Sequence, residues 1–180
     1  MCVGGHFRRR VFIVHGTDHN QSTRRVHLPD EAATERFGAA LANAVQPGLV
    51  IWLEGDLGAG KTTLARAMLR ALGHTGPVKS PTYALVELYK VSSLYLYHFD
   101  FYRLNHPEEF VDAGLDEYFT ETAVCLIEWP DKAAGFLPPA DLVVRLRNEG
   151  AGRALELEAA SVAGLQCLNT VSARLPAAAA

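Results

Sequence analysis

A chain of 180 residues is the size of one domain with a core of its own. Its 17 basic and 20 acidic residues leave a net charge of −3, so it lacks the basic field with which proteins grip nucleic acid directly. No apolar stretch reaches membrane-spanning length, and Cys2, Cys125 and Cys167 lie far apart without ligand spacing, which reads as reduced thiols in the cytoplasm.

Residues 1–23 read as a polar, basic extension. Arg9-Arg10 resembles an export signal, but the apolar run after it stops at His15-Gly16, too soon for an export segment. A single domain is expected over 24–175. It opens with a short strand at Arg25-Val26-His27-Leu28. A helix begins at Pro29-Asp30-Glu31, with Asp30 as N-cap and Ala33, Phe37, Ala40, Leu41, Ala44 and Val45 on its apolar face. Pro47-Gly48 ends it. The apolar run 49–53 is a strand, and a helix over 61–72 stops at Gly73. Runs 83–90 and 94–101, parted by Ser92-Ser93, predict an antiparallel hairpin. Asn105 to Glu109 opens another helical stretch. Val124-Cys125-Leu126-Ile127 is a strand buried on both faces. Runs 142–146 and 154–158 flank Asn148 to Gly152 as a second hairpin. A last helix carries Leu165, Leu168 and Val171, and 176–180 form a frayed tail.

Between the strand at 49–53 and the helix at 61–72 lies Gly55-Asp56-Leu57-Gly58-Ala59-Gly60-Lys61-Thr62. It meets the phosphate-binding pattern G-x-x-x-x-G-K-[ST] at every fixed position, in the strand–loop–helix context the pattern needs. Glycines let the backbone turn so that its N–H groups form an anion nest at a helix N-terminus. Lys61 should reach the β- and γ-phosphates, and Thr62 should offer its hydroxyl to Mg²⁺. The chain is therefore expected to bind a nucleoside triphosphate.

Phosphoryl-transfer chemistry also needs a carboxylate near the metal, at the end of an apolar strand. Asp100 ends Leu94 to Phe99, and Glu128 ends Val124 to Ile127. Either could hold the metal or orient the attacking water; otherwise each is a strand-end acid facing solvent. With Lys61 they form the candidate catalytic set. Ser80-Pro81-Thr82-Tyr83 is either a segment that senses the γ-phosphate or a turn set by Pro81. Arg103 and Arg153 are candidate phosphate or partner contacts, and Trp129 packs in the core or near the site. His98 orients Asp100 or packs in the sheet.

In their order along the chain, Gly55 to Thr63, Val78-Lys79-Ser80-Pro81-Thr82-Tyr83, His98-Phe99-Asp100-Phe101-Tyr102-Arg103-Leu104 and Ile127-Glu128-Trp129-Pro130 resemble the TsaE family of bacterial ATPases. That family takes part in making threonylcarbamoyladenosine in tRNA. The resemblance covers roughly residues 26–160. It implies a P-loop α/β fold, a three-layer α/β/α sandwich with a mixed parallel and antiparallel sheet. It implies ATP and Mg²⁺ as cofactors, with Asp56, Leu57, Gly58, Ala59, Gly60, Lys61, Thr62 and Thr63 around the nucleotide. Thr62 and Glu128 would lie at the metal, with Asp100 close by. Ser80, Pro81, Thr82 and Tyr83, with Trp129, would form the switch. Glu31 and Arg153 fall where the family contacts the nucleotide. The implied partners are the threonylcarbamoyl transferase and its inactive paralogue, with tRNA met only through them.

Two rival functions share the loop. A small-molecule kinase needs an acceptor pocket and usually a lid rich in arginine, and no arginine cluster follows the loop helix. A GTP-dependent switch usually selects guanine with Asn-Lys-x-Asp, which is absent.

Overall fold

The computed structural model describes residues 22–91 and 93–175. The N-terminal extension with its arginine pair and Cys2, the tail at 176–180, and Ser92 of the first hairpin turn lie outside the described residues. The elements in chain order are β1 (Thr23–Leu28), α1 (Glu31–Ala42), β2 (Val50–Glu54), α2 (Lys61–Ala71), β3 (Val86–Val91), β4 (Leu94–Asp100), α3 (Glu109–Asp112), β5 (Ala123–Glu128), β6 (Leu142–Glu149), β7 (Gly152–Ala159) and α4 (Val162–Arg174). Short 3-10 turns occupy Leu115–Tyr118 and Pro130–Ala133.

All strands join one seven-stranded sheet in the order β1-β7-β6-β2-β5-β4-β3. Its middle, β6-β2-β5-β4, is parallel. Each margin is finished by an antiparallel hairpin, β3 with β4 and β6 with β7, and β1 adds antiparallel to β7. The sheet is therefore mixed, as expected. β1 begins at Thr23, inside the stretch assigned to the extension, because its pairing with β7 runs to Thr23 opposite Glu158.

Strand residues alternate between two apolar clusters, as the pleat requires. Ile51, Leu53, Val124, Leu126 and Val144 pack with Phe37 and Leu41 of α1, Leu64 and Met68 of α2, and Leu168 and Val171 of α4. Val50, Cys125, Ile127 and Phe99 face the other way, onto Phe101, Phe110, Leu115 and Phe119. The first outer layer is three helices. The second is built from the four-residue α3 and the 3-10 turns, wrapped around stacked Phe99 and Phe119 with ring centroids 5.1 Å apart. Helical structure after Asn105 is thus shorter than the sequence suggests; Gly114, at φ 66°, turns the chain before a longer helix can form. The strand expected from residue 83 begins at Val86. Tyr83 to Leu85 form a turn instead, closed by the Leu85 N–H donating to the Pro81 carbonyl at 2.7 Å.

Side-chain caps start α1 and α4. The Asp30 carboxylate accepts from the Ala33 N–H at 2.7 Å and starts α1, as expected. Ser161 caps α4 by accepting from the Gly164 N–H at 3.0 Å, while its hydroxyl donates to Asp141 at 2.6 Å. The other Asp141 oxygen accepts from the Val50 N–H at 2.8 Å, so one carboxylate ties α4 to the first residue of the strand that leads into the glycine loop.

Candidate functional site: a phosphate loop facing two strand-end carboxylates

β2, β4 and β5 run parallel, so their C-terminal ends open on one edge of the sheet, where ligands bind in open α/β folds. The glycine loop follows β2. Register pairs Asp100, the last residue of β4, with Glu128, the last of β5, and Glu128 with Leu53 of β2. A cavity of about 370 Å³ opens there. Its walls include Leu57, Gly58, Gly60, Lys61, Thr62, Thr63, Ser80, Thr82, Asp100, Glu128, Trp129 and Arg153. Most of the expected site is thus gathered into one place.

The loop ends at Gly60, whose φ of 100° is left-handed. A Cβ here would also overlap the guanidinium of Arg153. Lys61, the first residue of α2, is buried, and its ammonium donates to the loop carbonyls of Gly55 at 2.6 Å and Asp56 at 3.0 Å. It also lies 3.8 Å from the centre of the Trp129 ring. Burial holds the Lys61 pKa below its ordinary value, against the opposing pull of Glu128 and Asp100. Trp129 presents its ring from a left-handed backbone, φ 59°, immediately after β5.

The two carboxylates are buried and separately held. The Thr62 hydroxyl donates to Glu128, 2.9 Å from Oε1 and 3.2 Å from Oε2. His98 Nε2 meets the same Oε1 at 2.9 Å. Asp100 accepts from the Tyr102 N–H at 2.9 Å through Oδ1 and from the Ser80 hydroxyl through Oδ2. Of the two readings of His98 the structure bears out packing in the sheet, where the ring is fully buried and contacts Glu128, not Asp100. Ser80, at the start of the expected switch, is bonded to a strand-end acid. Pro81 is buried behind it, and Tyr83 stands 81% exposed at the end of the segment. Arg103 donates to the Tyr83 hydroxyl at 3.0 Å and stacks on its ring at 4.3 Å, tying the segment to the chain leaving β4.

This arrangement agrees with what the chain resembles. Residues 28–155 match the family described as Threonylcarbamoyl adenosine biosynthesis protein TsaE. The chain belongs to the TsaE family. A Haemophilus influenzae protein named tRNA threonylcarbamoyladenosine biosynthesis protein TsaE is 43% identical over 151 residues, covering 81% of this chain and 96% of that one. A Bacillus subtilis protein of the same name is 41% identical over 127 residues, 71% of this chain and 77% of that one. The crystal structure of YdiB from Bacillus subtilis superposes with a TM-score of 0.72 at 30% identity, covering 84% of this chain and 95% of its own.

Some TsaE-derived expectations lie at the margin of the cavity. Glu31 is exposed at the first turn of α1 and is not among the lining residues. Asp56 takes part through its carbonyl, and Ala59 is buried under the loop. Arg153 does line the cavity, steadied by donation from Nη1 to the Thr34 hydroxyl at 2.7 Å. Thr34 and Tyr102 were not singled out by the sequence. Thr34, one turn along α1 from Glu31, is fully buried and donates to the Asp30 carbonyl at 3.2 Å. Tyr102 packs its ring 5.0 Å from Trp129. Tyr102 lies inside the motif after Asp100, a signal that was available; Thr34 has no local signal.

Proposed function

We propose that this protein is a Mg²⁺-dependent ATPase that serves the formation of threonylcarbamoyladenosine in tRNA. It would act on the threonylcarbamoyl transferase and its inactive paralogue, without transferring the group itself. Membership of the TsaE family supports the pathway. The observation that carries the chemistry is the convergence of Lys61, Thr62, Asp100 and Glu128 on one cavity beneath the glycine loop.

The donor set suits the cation. Among the described residues no group of three or more His, Cys, Asp or Glu side chains is placed to hold a metal alone. Mg²⁺ at a nucleotide is ordinarily held by one or two protein ligands together with phosphate oxygens. The Thr62 hydroxyl and the adjoining Glu128 carboxylate match that pattern, with Asp100 at hand. When bound, the ion would neutralise charge building up on the transferring phosphoryl group.

The remaining work falls to the chain. Backbone N–H groups of the loop would receive the phosphates, and Lys61 would supply a positive charge beside them. Arg153 would approach from β7. A water oriented by a strand-end carboxylate would attack the γ-phosphorus, with its proton passing toward that carboxylate and the bond to ADP breaking. Asp100, bonded to Ser80, would relay the nucleotide state to residues 80–83 and so to the partner proteins.

Lys61→Ala is expected to abolish ATP binding in a calorimetric titration. Glu128→Ala is expected to bind ATP and to lose at least about 100-fold in hydrolysis, the scale of removing a key charged group. Glu128→Ala hydrolysing at the wild-type rate beside the transferase pair would remove the role given to that residue. Recovery of a phosphorylated metabolite, with no transferase pair captured in the presence of ATP, would replace this reading with a kinase.

A further inference from the structure

We propose that His98 is a positioning residue for Glu128: its Nε2–H holds one carboxylate oxygen so that the other is presented to the cavity. This rests on the ATPase reading above.

His98 lies on β4 opposite Leu126 of β5, and Glu128 is the next residue of β5 on that face. The ring is fully buried among the apolar side chains that the sheet turns toward α2, where Leu96 and Leu126 are its neighbours in the pleat. An imidazole in such a place is costly unless its polar atoms are used. One is used: Nε2 meets Glu128 Oε1 at 2.9 Å. The other, Nδ1, is buried and has no hydrogen-bond partner among the described residues. A carboxylate oxygen accepts only, so Nε2 must carry an N–H for this hydrogen bond to form. Leucine would fill the space without an orphaned nitrogen, so the hydrogen bond is what the ring adds.

The bond also has a geometric consequence. Glu128 Oε1 takes two donors, His98 from within the sheet and Thr62 from α2. Two donors from different elements fix the rotation of the carboxylate. Thr62 alone would not, since it also reaches Oε2 at 3.2 Å and can follow either oxygen. A partner that orients a metal-side or catalytic ligand in this way typically accounts for about 10–100-fold in activity or metal affinity.

The test compares His98→Leu, which keeps volume and removes the donor, with His98→Gln, whose amide N–H can reach where Nε2 lies. ATP hydrolysis is measured on the full chain, alone and with the transferase pair. The Leu variant is expected to lose about 10–100-fold in kcat, while ATP affinity without Mg²⁺ changes less than about two-fold. The Gln variant is expected to recover most of the rate. In a Glu128→Ala background, His98→Leu should add nothing. A folded Leu variant at the wild-type rate, a Gln variant as slow as Leu, or additive losses would each overturn the proposal. Should neither variant fold, nitrogen NMR of histidine-labelled wild-type protein decides. An Nε2–H tautomer whose signal moves in Glu128→Ala supports the bond, and an Nδ1–H tautomer overturns it. If the wild type hydrolyses no ATP even with its partners, the ATPase reading fails while the NMR result still judges the bond.

Discussion

Lys61 stands in a conflict that the fold imposes on it. Phosphate chemistry needs a cation at the start of α2, and the same position is buried under Trp129. Burial lowers its pKa, with Glu128, Asp100, Asp56 and Asp131 pulling the other way. A lysine whose folded pKa lies below its unfolded value of 10.5 takes up its proton more readily when unfolded. The cost to stability is then full at neutral pH and disappears as pH rises through the window just below 10.5. Urea unfolding of wild type and Lys61→Met between pH 7 and about 10 should show the difference shifting in favour of the wild type as pH rises. A flat difference would mean that the carboxylates fully offset the burial. The residues that a motif or a strand end announces, Lys61, Thr62, Asp100 and Glu128, were legible in the sequence. Thr34 was not, because its role depends on Arg153, which is distant in the chain. That His98 packs in the sheet was legible, but its contact with Glu128 was not, because the register of β4 against β5 is not a local property.

Elements were legible where local rules act. Asp30 announces α1, and paired apolar runs parted by short turn segments announce both hairpins. Asp30→Ala should lower unfolding stability by about 1 kcal/mol, the ordinary value of an N-cap, as read by denaturant titration. Gly164 makes a sharper case. A Cβ there would overlap the backbone carbonyl of Asp141, which cannot move without disturbing the bonds between Asp141 and Val50. Gly164→Ala should therefore cost about 1–3 kcal/mol or more. A thermal midpoint equal to that of the wild type would show that α4 can shift away from β6. The turn at Tyr83 to Leu85 falls inside a run, 83–90, whose Tyr, Leu and Val content suggests strand throughout. Leu85 instead takes a left-handed φ of 65°, with its N–H donating to the Pro81 carbonyl at 2.7 Å and its carbonyl accepting from the Asp100 N–H at 3.1 Å.

At the scale of the molecule, strand order does what no single segment can. Placing β2 between β5 and β6 brings loop, acids and Arg153 to one edge. Nothing local in the sequence dictates that order; the resemblance to TsaE implied a mixed sheet, without the order of its strands. No helix of the described residues is long and apolar enough to cross a membrane. The net charge of −3 gives the chain no overall attraction to RNA. Titration with tRNA at physiological salt should show no retention by the protein alone, and retention only once the transferase pair is added. Tight binding by the isolated chain would mean that it contacts tRNA itself.

That Gly60 and Arg153 line one cavity from distant parts of the chain bears on the order of events during synthesis. The ribosome delivers the glycine loop early, but β6, the parallel neighbour that completes β2, and the hairpin that carries Arg153 emerge much later. A nascent chain released before β6 would carry the loop motif intact, with β2 still an open sheet edge and one wall of the cavity missing. The cavity beside the glycine loop is thus closed only near the end of translation.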